Sequence, residues 1–334
     1  MALFSLLMAI LVERLRLLPD LWQFDSLMQG YHKRLWDSES LGSTSGALLA
    51  MALPAMVLAL CLYLLDGLFF GLFNLLVWIF ISVICFSHQN LRDTFKKYIQ
   101  AACRGDVQAS FRYASELDCC ECLDAVDEQD LGAKVGQISA WINYRYYGAV
   151  ALFLIFLGPV GAVLYCTVRY YSQRELSLSN QLQRCQVAKQ ALAQQGIVES
   201  KLVTSDAVND KAEDASYIEM PLVQEVQKLL DWIPSRIFSF GFVLSGQFSS
   251  GLIIWRKLSL QWHSRAKTLI TETALASEAS IVSEMMADDS LANSRSTTAP
   301  LSVRETLALL ELSKRNFILL LTVLSVLTIF GVVN

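Results

Sequence analysis

Apolar residues in this chain gather in long runs separated by short charged stretches. Gly46–Leu65 is apolar for twenty residues. At about 1.5 Å per residue, that is enough to cross about 30 Å of hydrocarbon. Leu68–Phe86 follows at once, with Asp66-Gly67 as the turn signal between them. A first membrane helix is expected from about Leu3 to Leu18, holding Glu13, Arg14 and Arg16 near its inner end. Ala149–Val168 is the next apolar run, and Gly158-Pro159-Val160-Gly161 lies in its middle. Proline there removes a helix hydrogen bond, so a kink or a broken helix is expected. Phe238–Trp255 is apolar but rich in Gly and Ser; it reads as a thin span in preference to a re-entrant element. Phe317–Val333 is a last, short span. The pattern predicts an all-α polytopic integral membrane protein with five to six membrane helices, amphipathic surface helices and two flexible loops.

Between the runs, apolar residues recur at three or four positions, the period of a half-buried helix. Leu91–Ala102 is one such segment, broken by Arg104-Gly105-Asp106, and Asp106–Leu123 is a second. Leu131, Val135, Ile138 and Ile142 mark a third. Leu222, Val223, Val226, Leu229, Leu230 and Ile233 mark a fourth. Leu301–Leu312 reads as a surface helix. Gln190–Ser216 is rich in Ala, Gln, Ser and Asp, and its second half reads as a disordered loop; Thr271–Pro300, rich in Ala, Ser and Asp without a sustained period, reads as a flexible linker. The chain therefore divides into N-terminal membrane helices (1–86), a helical insert (87–147), a membrane helix with a Gly-Pro break (148–170) and a polar loop (171–220). An amphipathic helix with a membrane or re-entrant segment (221–268), a flexible linker (269–300) and a C-terminal membrane helix (301–334) complete it.

Composition agrees with lipid exposure: 54% of the 334 residues are apolar and only 17% are charged. A formal charge of -4 lacks the basic surface of a nucleic-acid binder. Cys61, Cys85 and Cys166 lie in apolar runs and read as buried thiols. Cys119, Cys120 and Cys122 lack a second pair and a nearby His at zinc spacing, so no metal is assigned to them.

Two dense junctions stand out. Trp141–Gly148 (W-I-N-Y-R-Y-Y-G) joins a polar insert to an apolar run, and Asp231–Arg236 (D-W-I-P-S-R) does the same further on. An aromatic belt with a snorkelling Arg is one reading. A polar site at the interface is the other, because Asn143 among aromatics is not needed for anchoring. Glu13 joins the candidates, since an ionisable residue in or near a span must pair or face a polar cavity. The candidate site residues are thus Glu13, Asn143, Arg145, Asp231 and Arg236. Expected partners are membrane lipid and a small-molecule or membrane-protein partner, with no nucleic acid.

Lys33, Arg34, Arg92, Lys96 and Lys97 flank the Gly46–Phe86 hairpin on one side, which the positive-inside rule makes cytoplasmic. Arg169 and Arg174 are the exceptions. With Phe238–Trp255 as a full span, up-and-down threading puts the two junctions on opposite faces.

The chain resembles the AmpE family of bacterial inner-membrane proteins, named for their place beside a regulator of beta-lactamase induction. The resemblance rests on the N-terminal run ending Glu13-Arg14-Leu15, Leu76–Ile79, Trp141–Tyr147, Gly158-Pro159, and L-L-D-W-I-P-S-R at Leu229–Arg236. It implies an accessory or signalling role in the inner membrane without a cofactor. The family is in turn similar to a cobalamin-pathway membrane enzyme that forms an amide with ATP and magnesium. That likeness implies metal ligands at Glu13, Asp118 or Asp231 and a phosphate clamp of Arg145 and Arg236. Ile142 stands where the enzyme pattern has Glu, and no Gly-x-x-x-x-Gly-Lys-Ser/Thr loop replaces it. A transporter is a third reading, with no visible inverted repeat to support it.

Overall fold

The computed structural model describes residues 2–15, 19, 22–36, 41–65, 72–117, 128–194, 222–262, 264–291 and 301–331. Every regular element among them is helical. In order they are α1 (Ala2–Leu15), α2 (Phe24–Leu35), α3 (Thr44–Leu65), α4 (Leu72–Phe86), α5 (Gln89–Cys103), α6 (Val107–Leu117) and α7 (Glu128–Asn143). A five-residue π-helix (Tyr144–Gly148) follows, then α8 (Ala149–Gln194), α9 (Val223–Ser245), α10 (Phe248–Ser259), α11 (Ala266–Leu291) and α12 (Leu301–Ile329). The Cys119–Cys122 cluster, Asp118 and the Asp66-Gly67 turn lie outside the described residues.

Among the described residues, four segments are long and apolar enough to cross a membrane: Thr44–Leu65, Leu72–Cys103, Asp130–Leu176 and Val303–Ile329. The pattern of the sequence suggested five to six. The described part of the first segment, α1, has 14 residues, about 21 Å of helix and short of a full crossing.

The third of these segments reverses direction within itself. Gly158 adopts φ 70, ψ -164, which no helix contains. The rings of Phe153 and Tyr165 then stack with centroids 5.0 Å apart. On a straight helix those two positions would lie roughly 18 Å apart. Gln173 Nε2 donates to the Tyr146 hydroxyl at 2.6 Å, and Arg145 reaches Ser172. Ala149–Val168 is therefore not a span but a hairpin, with Gly158-Pro159 at its tip. Glycine supplies the left-handed φ and proline lacks the N–H that would continue the ladder. Each arm is about 14 Å long, roughly half the hydrocarbon thickness. Phe156 and Leu157 are exposed beside the tip, and the Trp78 ring of α4 closes on Gly158.

Phe238–Trp255, expected to span, is split instead. The chain leaves α9 at Gly246, and Gln247 N donates to Ser277 O of α11 at 2.9 Å. A Cβ at Gly246 would run into that same carbonyl. The returning helix α10 has 12 residues, about 18 Å and too short to cross. Arg236 donates to the carbonyls of Ser259 (3.0 Å) and Gln261 (3.1 Å), so α10 folds back antiparallel on α9. Pro234 neither ends nor breaks α9, which runs on to Ser245; contacts of Asp231 and Phe238 hold the helix on either side of it.

The path of α9 is set by its partners. Gln224 bonds Ser172 and Glu175 on the second hairpin arm. Phe238 packs on Gly148 at the start of the first arm, and Gly241 abuts Asn316 of α12. The helix thus passes across the α8 hairpin from the second arm to the first.

Three further expectations change. The polar loop expected at 171–220 begins as helix, since α8 continues to Gln194. The linker expected at 269–300 is helical as far as Leu291, because Leu269, Ile270 and Ala274 are fully buried against neighbouring helices. Leu301–Leu312 is not a surface helix separate from the last run. It forms one helix with it, and Val303, Ala308, Leu309 and Leu312 are fully buried. Gly136 of α7 allows this: a Cβ there would lie 2.8 Å from Leu309 and 3.2 Å from the Thr306 backbone. A smaller core, with Tyr98, Ala114, Leu131, Val135 and Ile138 at its centre, holds α5, α6 and α7 together. Asp106 starts α6 as its cap, accepting the Ala109 N–H at 3.0 Å.

Candidate polar hub at the hairpin mouth

The π-helix Tyr144–Gly148 opens the turn of an otherwise continuous helix, the kind of bulge often found at functional sites. Its four successive side chains reach different elements. Tyr144 donates to Asp231 Oδ1 of α9 at 2.8 Å, and Tyr165 donates to the same oxygen at 2.9 Å. Gln227 Nε2 donates to the other oxygen, Asp231 Oδ2, at 2.7 Å. Tyr147 donates to Glu13 Oε1 of α1 at 2.5 Å, and Arg92 of α5 pairs with that oxygen at 3.0 Å. Tyr146 receives the His88 ring edge-on with centroids 4.5 Å apart, and the Arg169 guanidinium lies 4.3 Å from its ring centre.

Both carboxylates are buried, Glu13 to 6% exposure and Asp231 to 4%. Burial pushes the Asp231 carboxyl above its ordinary range, opposed by the charge of Arg145 and by the donors on Gln227, Tyr144 and Tyr165. Arg145 is 8% exposed, with its guanidinium 5.7 Å from the Trp141 ring centre and one long bond, 3.5 Å, to Ser172 Oγ. Its charge acts on Asp231 through space; no ion pair joins the two.

Three of the five sequence candidates, Glu13, Arg145 and Asp231, thus meet around one π-helix, and two do not. Asn143 donates to Ser139 O at 2.9 Å within its own helix. Arg236 is spent on Trp232, Ser259 and Gln261 carbonyls and lies over the Trp232 ring at 4.3 Å. The hub also contains a residue that sequence reading set aside. Arg169 is fully buried, 3.6 Å from Asp25 and 3.4 Å from His88 Nε2, and donates to Arg145 O at 3.5 Å. Its signal was its apparent breach of the positive-inside pattern. The hairpin returns Arg169 to the side of His88 and Arg92, so the breach disappears.

These residues do not fit a magnesium–nucleotide group. Among the described residues no three His, Cys, Asp or Glu side chains come together to hold a metal. Glu13 and Asp231 face separate tyrosines, and both carboxylates are already taken by hydroxyl, amide or guanidinium donors. Arg236 is held away from them by the α10 carbonyls.

Long apolar helices, a half-depth broken helix and a buried polar hub define a polytopic helical membrane protein. The chain belongs to the AmpE family: the family model described as "Regulatory signalling modulator protein AmpE" matches residues 1–200. It is similar to Protein AmpE of Shigella flexneri, with 27% identity over 336 residues and 99% of each chain covered. No solved structure matches it. It is accordingly an inner-membrane regulatory protein of the AmpE type.

Proposed function

We propose that this protein serves beta-lactamase regulation as a non-catalytic module, in which the hub reports the packing of α9 against the α8 hairpin to a membrane-protein or small-molecule partner. The observation that carries this reading is the double use of one π-helix. Tyr144 holds α9 through Asp231, and Tyr147 holds α1 and α5 through Glu13 and Arg92. Any shift of the π-helix disturbs both carboxylates together. A two-state element whose equilibrium both sides bias is what a regulator requires.

The test is complementation of a deletion strain with an inducible beta-lactamase. Tyr144→Phe and Asp231→Asn are expected to blunt induced beta-lactamase activity at unchanged membrane levels of the protein. Wild-type induction by both variants would overturn the proposal. Calorimetric titration with ATP and magnesium tests catalysis separately: the wild type is expected to show no binding. Binding that Asp231→Asn abolishes would favour the enzyme reading instead.

A further inference from the structure

The return of the α9–α10 hairpin carries a feature that the hub does not use. Arg256, Lys257 and Arg265 are exposed there, and none has an ion-pair partner among the described residues. Between them lie Leu260 and Trp262, exposed to 78% and 65%. Large apolar side chains this open are costly in water, and a Trp flanked by cations is the composition of a membrane interface.

The rest of the hairpin shares this character. Leu229, Ile233 and Ile237 are exposed and four residues apart, so they form one stripe along α9. Ile253 of the returning helix α10 is exposed as well, to 69%. An apolar stripe on α9 beside free cations on a returning helix too short to span is the pattern of an in-plane, monotopic element.

We infer that Arg256–Trp262, together with Arg265, docks on anionic phospholipid in the leaflet facing the hub. Leu260 and Trp262 enter the headgroup–acyl boundary, and Arg256, Lys257 and Arg265 sit against lipid phosphates. Charge complementarity and continuity with the lipid-facing surface select this occupant. The dock is tied to the hub: Arg236 grips the Ser259 and Gln261 carbonyls, and the Trp262 ring lies 4.6 Å from Trp232, next in sequence to Asp231. Lipid occupancy is thereby coupled to the position of α9.

The test uses the full chain in phosphatidylcholine nanodiscs with and without phosphatidylglycerol, with native mass spectrometry counting the lipids retained after mild detergent release. Wild type is expected to retain phosphatidylglycerol preferentially, and less so at raised salt. The triple variant Arg256→Gln/Lys257→Gln/Arg265→Gln is expected to lose about fivefold in preference for each cation removed. Trp262→Ala is expected to weaken retention of both lipids alike. Equal retention of the two lipids by wild type, or equal phosphatidylglycerol retention by wild type and triple variant, would overturn the inference, also if a soluble protein bound the segment instead. The three cations are exposed, so the triple variant should elute as wild type does; if it aggregates, Arg265→Gln alone carries the same comparison.

Discussion

Tyr144 and Asp231 are 87 positions apart in the chain and 2.8 Å apart in space. That hydrogen bond joins the two aromatic-rich junctions of the sequence, and Tyr165 shares the same carboxylate oxygen at 2.9 Å. A buried carboxylate held by three donors is stable only while the donors stay in place.

Asp231→Ala should therefore be far more damaging than either tyrosine deletion. It leaves the buried donors of Tyr144, Tyr165 and Gln227 without their acceptor, at a cost of about 3–5 kcal/mol. Tyr144→Phe removes one donor and should cost about 1–2 kcal/mol. Thermal unfolding in detergent, followed by circular dichroism, checks the order.

Gly158→Ala tests the reversal of α8. Its φ of 70 disfavours any side chain, and a Cβ there would approach the Trp78 ring to 3.1 Å. The expected loss is about 1–3 kcal/mol. The same unfolding measurement reads it, and Trp78→Ala should relieve only the steric part.

Arg236→Ala should loosen α10 and leave Asp231 in place. Three carbonyl bonds, two of them to α10 and its exit, and the contact with the Trp232 ring are lost, about 1–3 kcal/mol in all. Limited proteolysis should open a cut near Ser259–Trp262 that wild type resists. Unchanged cutting would show that α10 does not depend on this side chain.

Glu278 supplies a pH signature. Burial, reinforced by the charge of Glu305, raises its carboxyl from 4.5 to about 7. The folded form keeps a proton that the unfolded chain releases near 4.5. The Glu278 contribution therefore favours folding fully below about pH 4.5 and is lost as pH rises through about 7. Glu278→Gln should unfold at higher temperature than wild type at pH 8, with the gap closing toward pH 5. A gap independent of pH would assign the shift elsewhere.

Sidedness can be read directly. Single cysteines at Gln100 and Leu260, in a cysteine-free background, should label together with an impermeant maleimide in vesicles of one orientation. A cysteine at Phe330 should label from the opposite side. This follows from the segment Val303–Ile329, long and apolar enough to cross, whose Asn316 donates to Phe238 O at 2.9 Å and whose C-terminal end carries Phe330 away from the hub.

Runs such as Gly46–Leu65 disclosed their helices because a membrane leaves the backbone no alternative: every N–H and C=O must be satisfied within the segment. The same sequence also marked Glu13, Arg145 and Asp231, since charge beside apolar residues needs a partner. It disclosed the Gly158-Pro159 break as well, because glycine and proline act on their own backbone. The direction taken after that break was decided elsewhere, by Trp78 against Gly158 and by Phe153 stacked on Tyr165. Asn143 and Arg236 were misplaced for a related reason. Their side chains bond backbone carbonyls, and a carbonyl leaves no trace in residue identity. Periodicity reports which face of a helix is apolar, whereas only the folded chain decides what lies against that face. The meeting of Tyr144 with Asp231 was of this second kind, because it depends on one hairpin returning and one helix passing across it.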